Sequence, residues 1–253
     1  LSFFYPIWEI VFFRGLSGTI IAFILLLFFG FTKLTTTKPL VHLIRAFSSV
    51  FCIVFFFFGL KYLLFAENQA LLHTAPIIAT LLALPFLGEK IKLKNLLAIF
   101  FGFIGIIIII KPSYSLFNFY ALLPLGSAFF MATAYIATRY LMDTESSVTV
   151  IFYYSIALLF TSLLFLPNNF IFPELSHLTL LFSLGVIGSL GHYFLSQAAK
   201  YGEVRIISPF EYTGFIFVAV IGYLFFNEIP SLRLVLGALC IILSGSYIIY
   251  KTR

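Results

Sequence analysis

Long apolar stretches dominate this chain and restrict it to membrane folds. The chain has 253 residues, of which 62% are hydrophobic and 9% are charged, whereas soluble domains carry about 25% charged residues. A helix that crosses a bilayer needs about 20 apolar residues. We count nine such stretches, at 8–30, 40–60, 65–87, 93–110, 119–140, 147–166, 177–199, 205–226 and 231–250. Because the connections are short, the sequence predicts an all-α integral membrane protein without a soluble domain.

Two parts of the chain, 61–112 and 200–251, carry similar marker residues at matching distances. The pairs, at an offset of 139 residues or one fewer, are Lys61-Tyr62 with Lys200-Tyr201, His73 with Glu211, Glu89 with Glu228 and Lys94 with Arg233. Internal repeats of this kind are typical of secondary transporters, whose substrate site lies between the repeats near the middle of the bilayer. We therefore expect a first repeat at 1–112 and a second at 113–253.

The repeat spacing also predicts how the two halves are oriented. An odd number of spans separates equivalent elements, so the halves are inverted relative to each other. Two inverted repeats of five helices make ten, while nine are visible in the sequence. We therefore expect that a first helix is missing before Leu1, which is not a methionine.

Positive charges are distributed unequally between the two predicted sides of the membrane. Of the 15 Lys and Arg residues, 11 fall on one side, among them Lys38 and Arg139. Basic loops stay in the cytoplasm, so we expect the C-terminus to be cytoplasmic. The net charge of +6 thus reflects topology and lipid contact, and no nucleic-acid partner is expected.

Motifs of soluble catalysis are missing from the sequence. There is no phosphate-binding loop of the form GxxxxGK[ST], no HExxH and no CxxC. We therefore expect no enzyme activity, no catalytic residue, no cofactor and no metal site.

Polar residues inside apolar spans are the candidate functional residues, because an ionised side chain at the bilayer centre costs about 2.5–3.5 kcal/mol. Glu211 follows Pro209, which disfavours a continuous helix, and it is either a proton or cationic-substrate site or a structural carboxyl. His73 is its partner in the repeat and titrates near neutral pH; the alternative is a hydrogen-bonded packing histidine. Protons or a counter-transported metabolite are the expected coupling partners.

Two further candidates carry positive charge or can acquire it. His192 follows Gly185, Gly188 and Gly191, so it either lines a cavity or is the hydrogen bond of a helix-packing seam. Arg14 either binds an anionic group, pairs with a buried carboxylate, or extends to the interface. Arg45 lies near a predicted cytoplasmic end, where we expect it to contact lipid headgroups.

Four more residues complete the candidate set. Tyr212 and Tyr135 present aromatic rings that can hold a cationic ligand. Asn68 and Glu67 open the span that carries His73, where they either extend its polar face or cap the helix.

Several segments together resemble one transporter family. They are Trp8–Gly15, Leu87-Gly88-Glu89-Lys90, Ser208-Pro209-Phe210-Glu211-Tyr212 and Phe226-Asn227-Glu228-Ile229-Pro230. In order and spacing they resemble the EamA (RhaT-like) family of the drug/metabolite transporter superfamily. The resemblance implies ten helices in two inverted repeats, with both termini cytoplasmic.

A narrower likeness suggests a substrate. Pro39–Arg45 and Pro209–Tyr212 resemble the S-adenosylmethionine uptake transporters of this family. We therefore expect a secondary transporter of a small polar or cationic metabolite, with S-adenosylmethionine uptake or exchange as the specific hypothesis. The alternatives are an exporter of drugs, amino acids or other metabolites, and, in a different class, a lipid-linked flippase or membrane enzyme or a non-transporting scaffold. Oligomeric state is not predicted.

Overall fold

The structure, a computed structural model, describes residues 4–30, 34–63, 65–88, 93–110, 119–166 and 170–214, with scattered residues from 217 to 247. Within these residues every regular element is helical. The helices are α1 (Ile7–Phe29), α2 (Pro39–Gly59), α3 (Phe65–Leu72), α4 (Ala75–Leu87), α5 (Leu93–Ile110), α6 (Leu122–Leu141), α7 (Ser147–Leu164), α8 (Leu175–Tyr201) and α9 (Val204–Ile207), with 3-10 turns at Phe119–Ala121 and Ser208–Thr213.

Among the described residues, five helices are long and apolar enough to cross a membrane: α1, α2, α6 with the preceding turn, α7 and α8. They lie within a few residues of five predicted stretches. Their outer faces expose large apolar side chains such as Phe28, which is 82% exposed. A bilayer, rather than water, is the solvent that suits such a surface, so the chain is a multi-pass integral membrane protein. α5 has the predicted bounds, 93–110, and its 18 residues are predominantly apolar.

The predicted span at 65–87 is not one continuous helix, because the structure has two helices there. α3 ends at Leu72, His73 and Thr74 form a turn, and α4 begins at Ala75. Pro76 in the first turn of α4 has no N–H, and its ring would collide with the carbonyl of Leu72 in a continuous helix. The hydroxyl of Thr74 donates to the carbonyl of Leu71 at 2.8 Å and caps the broken end.

The predicted span at 205–226 also begins irregularly. The short helix α9 ends at Ile207, and a 3-10 turn runs from Ser208 to Thr213. Pro209 cannot donate a helical hydrogen bond, and the irregularity predicted around it is confirmed. Most of 215–250, including the predicted span at 231–250, lies outside the described residues.

The chain folds into two compact units, and each draws on both halves of the sequence. Unit 1 comprises 1–50 and 137–201, and unit 2 comprises 51–136 and 202–253. In unit 1, α1 packs along α7 and α8. Small residues permit this approach: a Cβ on Gly15 would lie 2.7 Å from the backbone nitrogen of Leu159. Such small-residue contacts are the usual way in which membrane helices pack closely.

Unit 2 packs α4 against α9, and it packs the 3-10 turn Ser208–Thr213 against α4 and α5. Alanines provide the contact surface, since Ala79, Ala83 and Ala132 are fully buried in one apolar cluster with Val204. This arrangement holds the broken helices α3/α4 and the irregular turn in one body.

Candidate functional site

The break between α3 and α4 brings His73 close to the irregular turn that carries Glu211. The rings of His73 and Tyr212 lie 6.3 Å apart. His73 Nδ1 donates to the carbonyl of Gln69 at 2.7 Å, so the last turn of α3 orients the imidazole. We name Glu211, Tyr212 and His73 the acidic cluster; all three belong to unit 2.

Glu211 and Tyr212 both have buried oxygens without hydrogen-bond partners among the described residues. Glu211 Oε2 and the Tyr212 hydroxyl are the atoms concerned, and the Tyr212 side chain is fully buried. A buried polar atom without a partner costs about 1–3 kcal/mol, and more if it is charged. A carboxyl group in this position therefore needs a proton or a cationic group of a ligand to compensate it.

The Tyr212 ring is held by α5 at a glycine. A Cβ on Gly102 would lie 2.9 Å from Tyr212 Cδ2 and 2.9 Å from Ser244 Oγ. Ser244 in turn donates to the carbonyl of Ala98 at 2.5 Å. The Tyr212 ring therefore packs against α5 at Gly102. Any larger residue at position 102 would collide with the ring.

The other candidates of unit 2 differ in their surroundings. Asn68 is fully buried. Its Nδ2 donates to the carbonyl of Phe56 at 3.1 Å, which joins α3 to the end of α2, and its Oδ1 has no described hydrogen-bond partner. Tyr135 packs against the apolar cluster around Ala132. Glu67 lies in α3, but its side chain lies outside the described residues.

Gln69 is a residue that the sequence reasoning missed. Its carbonyl orients His73, and its side-chain Oε1 is buried without a described partner. Its position four residues before His73, on the same helix face, was the available signal.

Unit 1 contains a second group of candidates, Arg14, Arg45, His192 and Tyr154, which we name the basic cluster. Arg14 on α1 lies along α8: a Cβ on Gly188 would be 3.2 Å from Arg14 Nε and 3.3 Å from Nη2. Arg14 Nε is buried and has no hydrogen-bond partner in the described part of the chain. Gly188 thus gives the guanidinium its space.

His192 follows Gly188 by one helical turn and contacts α7. Its Nε2 and the Tyr154 hydroxyl share a hydrogen bond of 3.1 Å, and the two rings meet edge to face at 4.4 Å. Of the glycines expected to form a seam, Gly185 and Gly188 contact α1, whereas no described residue outside α8 lies within 4 Å of the position of a Cβ on Gly191.

Arg45 was expected to contact lipid headgroups, and this expectation was wrong. The residue is only 2% exposed. Its Nε donates to Thr138 Oγ1 at 2.7 Å, its Nη1 donates to the carbonyl of Val150 at 3.3 Å, and its guanidinium lies 4.9 Å from the Tyr154 ring centre. The guanidinium of an arginine is planar and has five donors, so neutral acceptors can hold it inside a protein. The position of Arg45 in the sequence does not reveal these acceptors.

A buried pair between His42 and Glu145 was also missed. His42 Nε2 donates to Glu145 Oε2 at 2.5 Å, and the two side chains are 5% and 3% exposed. Thr36 donates its hydroxyl to the other carboxylate oxygen. The His42 ring lies 4.5 Å from that of Tyr153, whose hydroxyl donates to the carbonyl of Leu34 at 3.0 Å. These contacts connect the segment before α2 to the α6–α7 loop.

The described residues thus form an acceptor-rich cluster in unit 2 and a donor-rich cluster in unit 1. They include no group of three or more His, Cys, Asp or Glu side chains able to hold a metal ion. Both clusters hold buried polar atoms without hydrogen-bond partners in the part of the chain that the structure describes, next to helix irregularities or glycine contacts. Such groups inside a membrane protein usually serve bound or transported ligands.

Comparison with known proteins identifies the family. The model of the EamA-like transporter family matches residues 1–111 and again residues 118–250. The chain belongs to the EamA-like transporter family.

Named relatives cover most of the chain. The pseudopaline exporter CntI of Pseudomonas aeruginosa is 30% identical over 94% of this chain and 84% of its own length. The S-adenosylmethionine uptake transporter of Rickettsia bellii is 28% identical over 97% of this chain and 84% of its own. The riboflavin transporter of Vibrio cholerae is 32% identical over 82% of this chain and 70% of its own.

A solved crystal structure shares the fold. It superposes with a TM-score of 0.82 and 18% identity, covering 95% of this chain and 86% of its own. The resemblance read from the sequence is therefore confirmed at the family level. This EamA-family protein is a membrane transporter of a small molecule and not an enzyme.

Proposed function

We propose that this EamA-family protein transports a small polar or cationic metabolite by alternating access, and that S-adenosylmethionine is the first substrate to test. The relative from Rickettsia is named for uptake of that compound. S-adenosylmethionine carries a sulfonium and an ammonium group, which suit an acceptor-rich site next to aromatic rings. The proposed fold consists of two inverted repeats, which the double match of the family model at 1–111 and 118–250 supports.

One observation supports the site most strongly: Glu211 Oε2 is buried without a described partner in an irregular turn. In transporters, discontinuous helices are the typical places where substrate and coupling ions bind. The turn beside His73 is a second discontinuity in the same unit. We assign to Glu211 the role of binding a proton or a cationic group of the ligand. Tyr212 and His73 are the neighbouring contacts.

The test is counterflow of labelled S-adenosylmethionine in proteoliposomes that contain the full chain. Glu211→Gln keeps the shape of the side chain and removes its charge, so we expect transport to stop while the protein still folds. Asp143→Asn is the matched control, because Asp143 is exposed and pairs only with Arg139 among the described residues. Normal transport by the Glu211→Gln variant over a range of pH would refute the assignment.

Export is the second candidate direction, since a relative at 30% identity is named as an exporter. The same scaffold runs in either direction according to the gradients across the membrane. Counterflow detects transport in both directions. Comparing efflux from loaded vesicles with uptake into empty vesicles then distinguishes export from import. Membership of a transporter family favours transport over the flippase, membrane-enzyme and scaffold alternatives.

The proposed orientation places the α6–α7 loop in the cytoplasm of a bacterial inner or plasma membrane. Lys38, Arg139 and Lys200 lie near ends of α2, α6 and α8, and basic residues favour the cytoplasmic side.

A further inference from the structure

We propose that Arg14 and His192 form an oxyanion subsite in unit 1, and that it binds a carboxylate group of the transported metabolite. This inference rests on the transport function proposed above and adds the chemical class of ligand that the basic cluster takes.

The charge of Arg14 is not matched inside the described protein. The ion pairs of the described residues join His42 to Glu145 and Arg139 to Asp143, and neither includes Arg14 or Arg45. Arg14 Nε is also buried without a hydrogen-bond acceptor. Burying a charged donor without a partner is costly, so an acceptor supplied from outside the protein explains why the arrangement exists.

Neither of the two buried carboxyl groups of unit 1 forms an ion pair with Arg14 among the described residues. Glu145 binds His42 and Thr36. Glu9 is fully buried; its Oε1 accepts the backbone N–H of Ile171 at 3.0 Å, and its Oε2 has no described hydrogen-bond partner. Glu9 precedes Arg14 by five residues on α1, a spacing that directs the two side chains to different helix faces. Neither carboxylate therefore neutralises Arg14.

The geometry of α8 presents two donor groups side by side. The Arg14 guanidinium lies over Gly188, where no Cβ intervenes. His192 is four residues further on and therefore lies on the same face of α8. A guanidinium beside an imidazole supplies separate donors for the two oxygens of a carboxylate, and charge-assisted hydrogen bonds of this kind are the strong ones.

Arg45 is a positioning residue in this site, because it is 2% exposed and held by Thr138 and Val150. Its guanidinium stacks on Tyr154, and the Tyr154 hydroxyl hydrogen-bonds to His192. Arg45 thus orients His192 through Tyr154. It also adds a second positive charge that no described carboxylate neutralises, which favours an anionic ligand.

A lipid phosphate has the same oxyanion chemistry as a carboxylate, so depth along the helix distinguishes them. Arg14 is seven residues into α1, which is about 10 Å along the axis at 1.5 Å per residue. Its buried Nε and its contact with α8 direct it into unit 1. A transported metabolite reaches that depth, whereas a headgroup stays at the interface.

The experiment measures binding to the purified full chain in nanodiscs, with S-adenosylmethionine and its decarboxylated analogue as the paired probes. We expect wild type to bind the carboxylate form about tenfold or more tightly. Arg14→Gln should remove this preference by weakening S-adenosylmethionine alone, and Arg14→Lys should restore part of it, because lysine keeps the charge but not the fork. Arg139→Gln is the matched control, since Arg139 already has a carboxylate partner. Equal weakening of both probes by Arg14→Gln would overturn the inference.

A second measurement does not depend on the proposed substrate. If neither probe binds, the assignment of S-adenosylmethionine as substrate fails. The subsite is then tested by comparing the thermal unfolding temperature in acetate with that in acetamide at equal ionic strength. Stabilisation by acetate in wild type but not in Arg14→Gln supports it, and no difference between the two additives contradicts it.

Two further outcomes would replace the inference. If Arg14→Gln unfolds at a clearly lower temperature without ligand, Arg14 is a structural residue. If the variant loses only its stabilisation by phosphatidylglycerol in the nanodisc, the bound oxyanion is a lipid phosphate, and the carboxylate assignment is wrong.

Discussion

Replacing Gly15 by alanine should destabilise unit 1 measurably, because the added methyl group meets backbone rather than side chain. Its Cβ would lie 2.7 Å from Leu159 N and 2.9 Å from Leu159 Cα. Carbon atoms prefer about 3.5–4.0 Å, so α1 and α7 must separate by about 1 Å. No rotamer change relieves this contact.

Two other glycines of unit 1 calibrate the effect. Nothing lies within 4 Å of a Cβ on Gly191, and a Cβ on Gly18 would meet the Oγ atoms of Ser155 and Ser189 at 2.7 and 2.8 Å. A serine hydroxyl can rotate away, whereas a backbone atom cannot. Alanine also improves helix propensity by about 1 kcal/mol, and this gain is common to all three variants.

The difference in unfolding midpoint between Gly15→Ala and Gly191→Ala therefore measures the free-energy cost of overpacking at Gly15. Overpacking of this kind costs about 1–3 kcal/mol, which corresponds to roughly 2–12 °C in unfolding midpoint for a chain of this size. Gly18→Ala should fall between the two.

The assay is the fraction of folded protein after heating, measured by size-exclusion chromatography with all variants in one detergent. A midpoint for Gly15→Ala equal to or above that of Gly191→Ala would show that α1 and α7 do not pack at this glycine, and it would refute the reasoning.

Three further outcomes follow from the described contacts. Glu145→Ala should lower stability by about 1–3 kcal/mol, since it leaves the buried Nε2 donor of His42 without its acceptor; thermal unfolding should show the loss, and replacing both residues by leucine should recover much of it. Gly102→Leu should abolish transport while the protein still inserts into the membrane, because a large side chain displaces the Tyr212 ring; normal counterflow would contradict the assigned contact. A single cysteine replacing Lys38, in a variant without the native cysteines, should react with impermeant maleimide only from the cytoplasmic side; labelling of intact cells would reverse the proposed orientation.

The positions of the long helices were largely predictable from hydropathy. The expected stretches 8–30 and 40–60 correspond to Ile7–Phe29 and Pro39–Gly59, because a sum over about 20 residues tolerates local irregularity. The same averaging failed at 65–87, where it concealed the break at His73. Pro76 was the local signal, and it acts through one missing N–H and one steric clash rather than through hydropathy.

The candidate residues were only partly predictable. Glu211, His73, His192 and Arg14 stood out as polar residues in apolar surroundings, and each lies beside a helix break or a glycine contact in the structure. Gln69 and the pair of His42 and Glu145 did not stand out. Their importance depends on which groups they meet.

The sequence alone determined the class of this protein, its long spans and its family. These properties are encoded in local composition and in ordered motifs, which do not require knowledge of distant contacts. Tertiary structure decided which polar groups are satisfied. Arg45 bonds to Thr138, 93 residues away, and His42 to Glu145, 103 residues away. Only such long-range packing shows that Arg45 is held by neutral partners while Arg14 retains a charge that no described carboxylate matches.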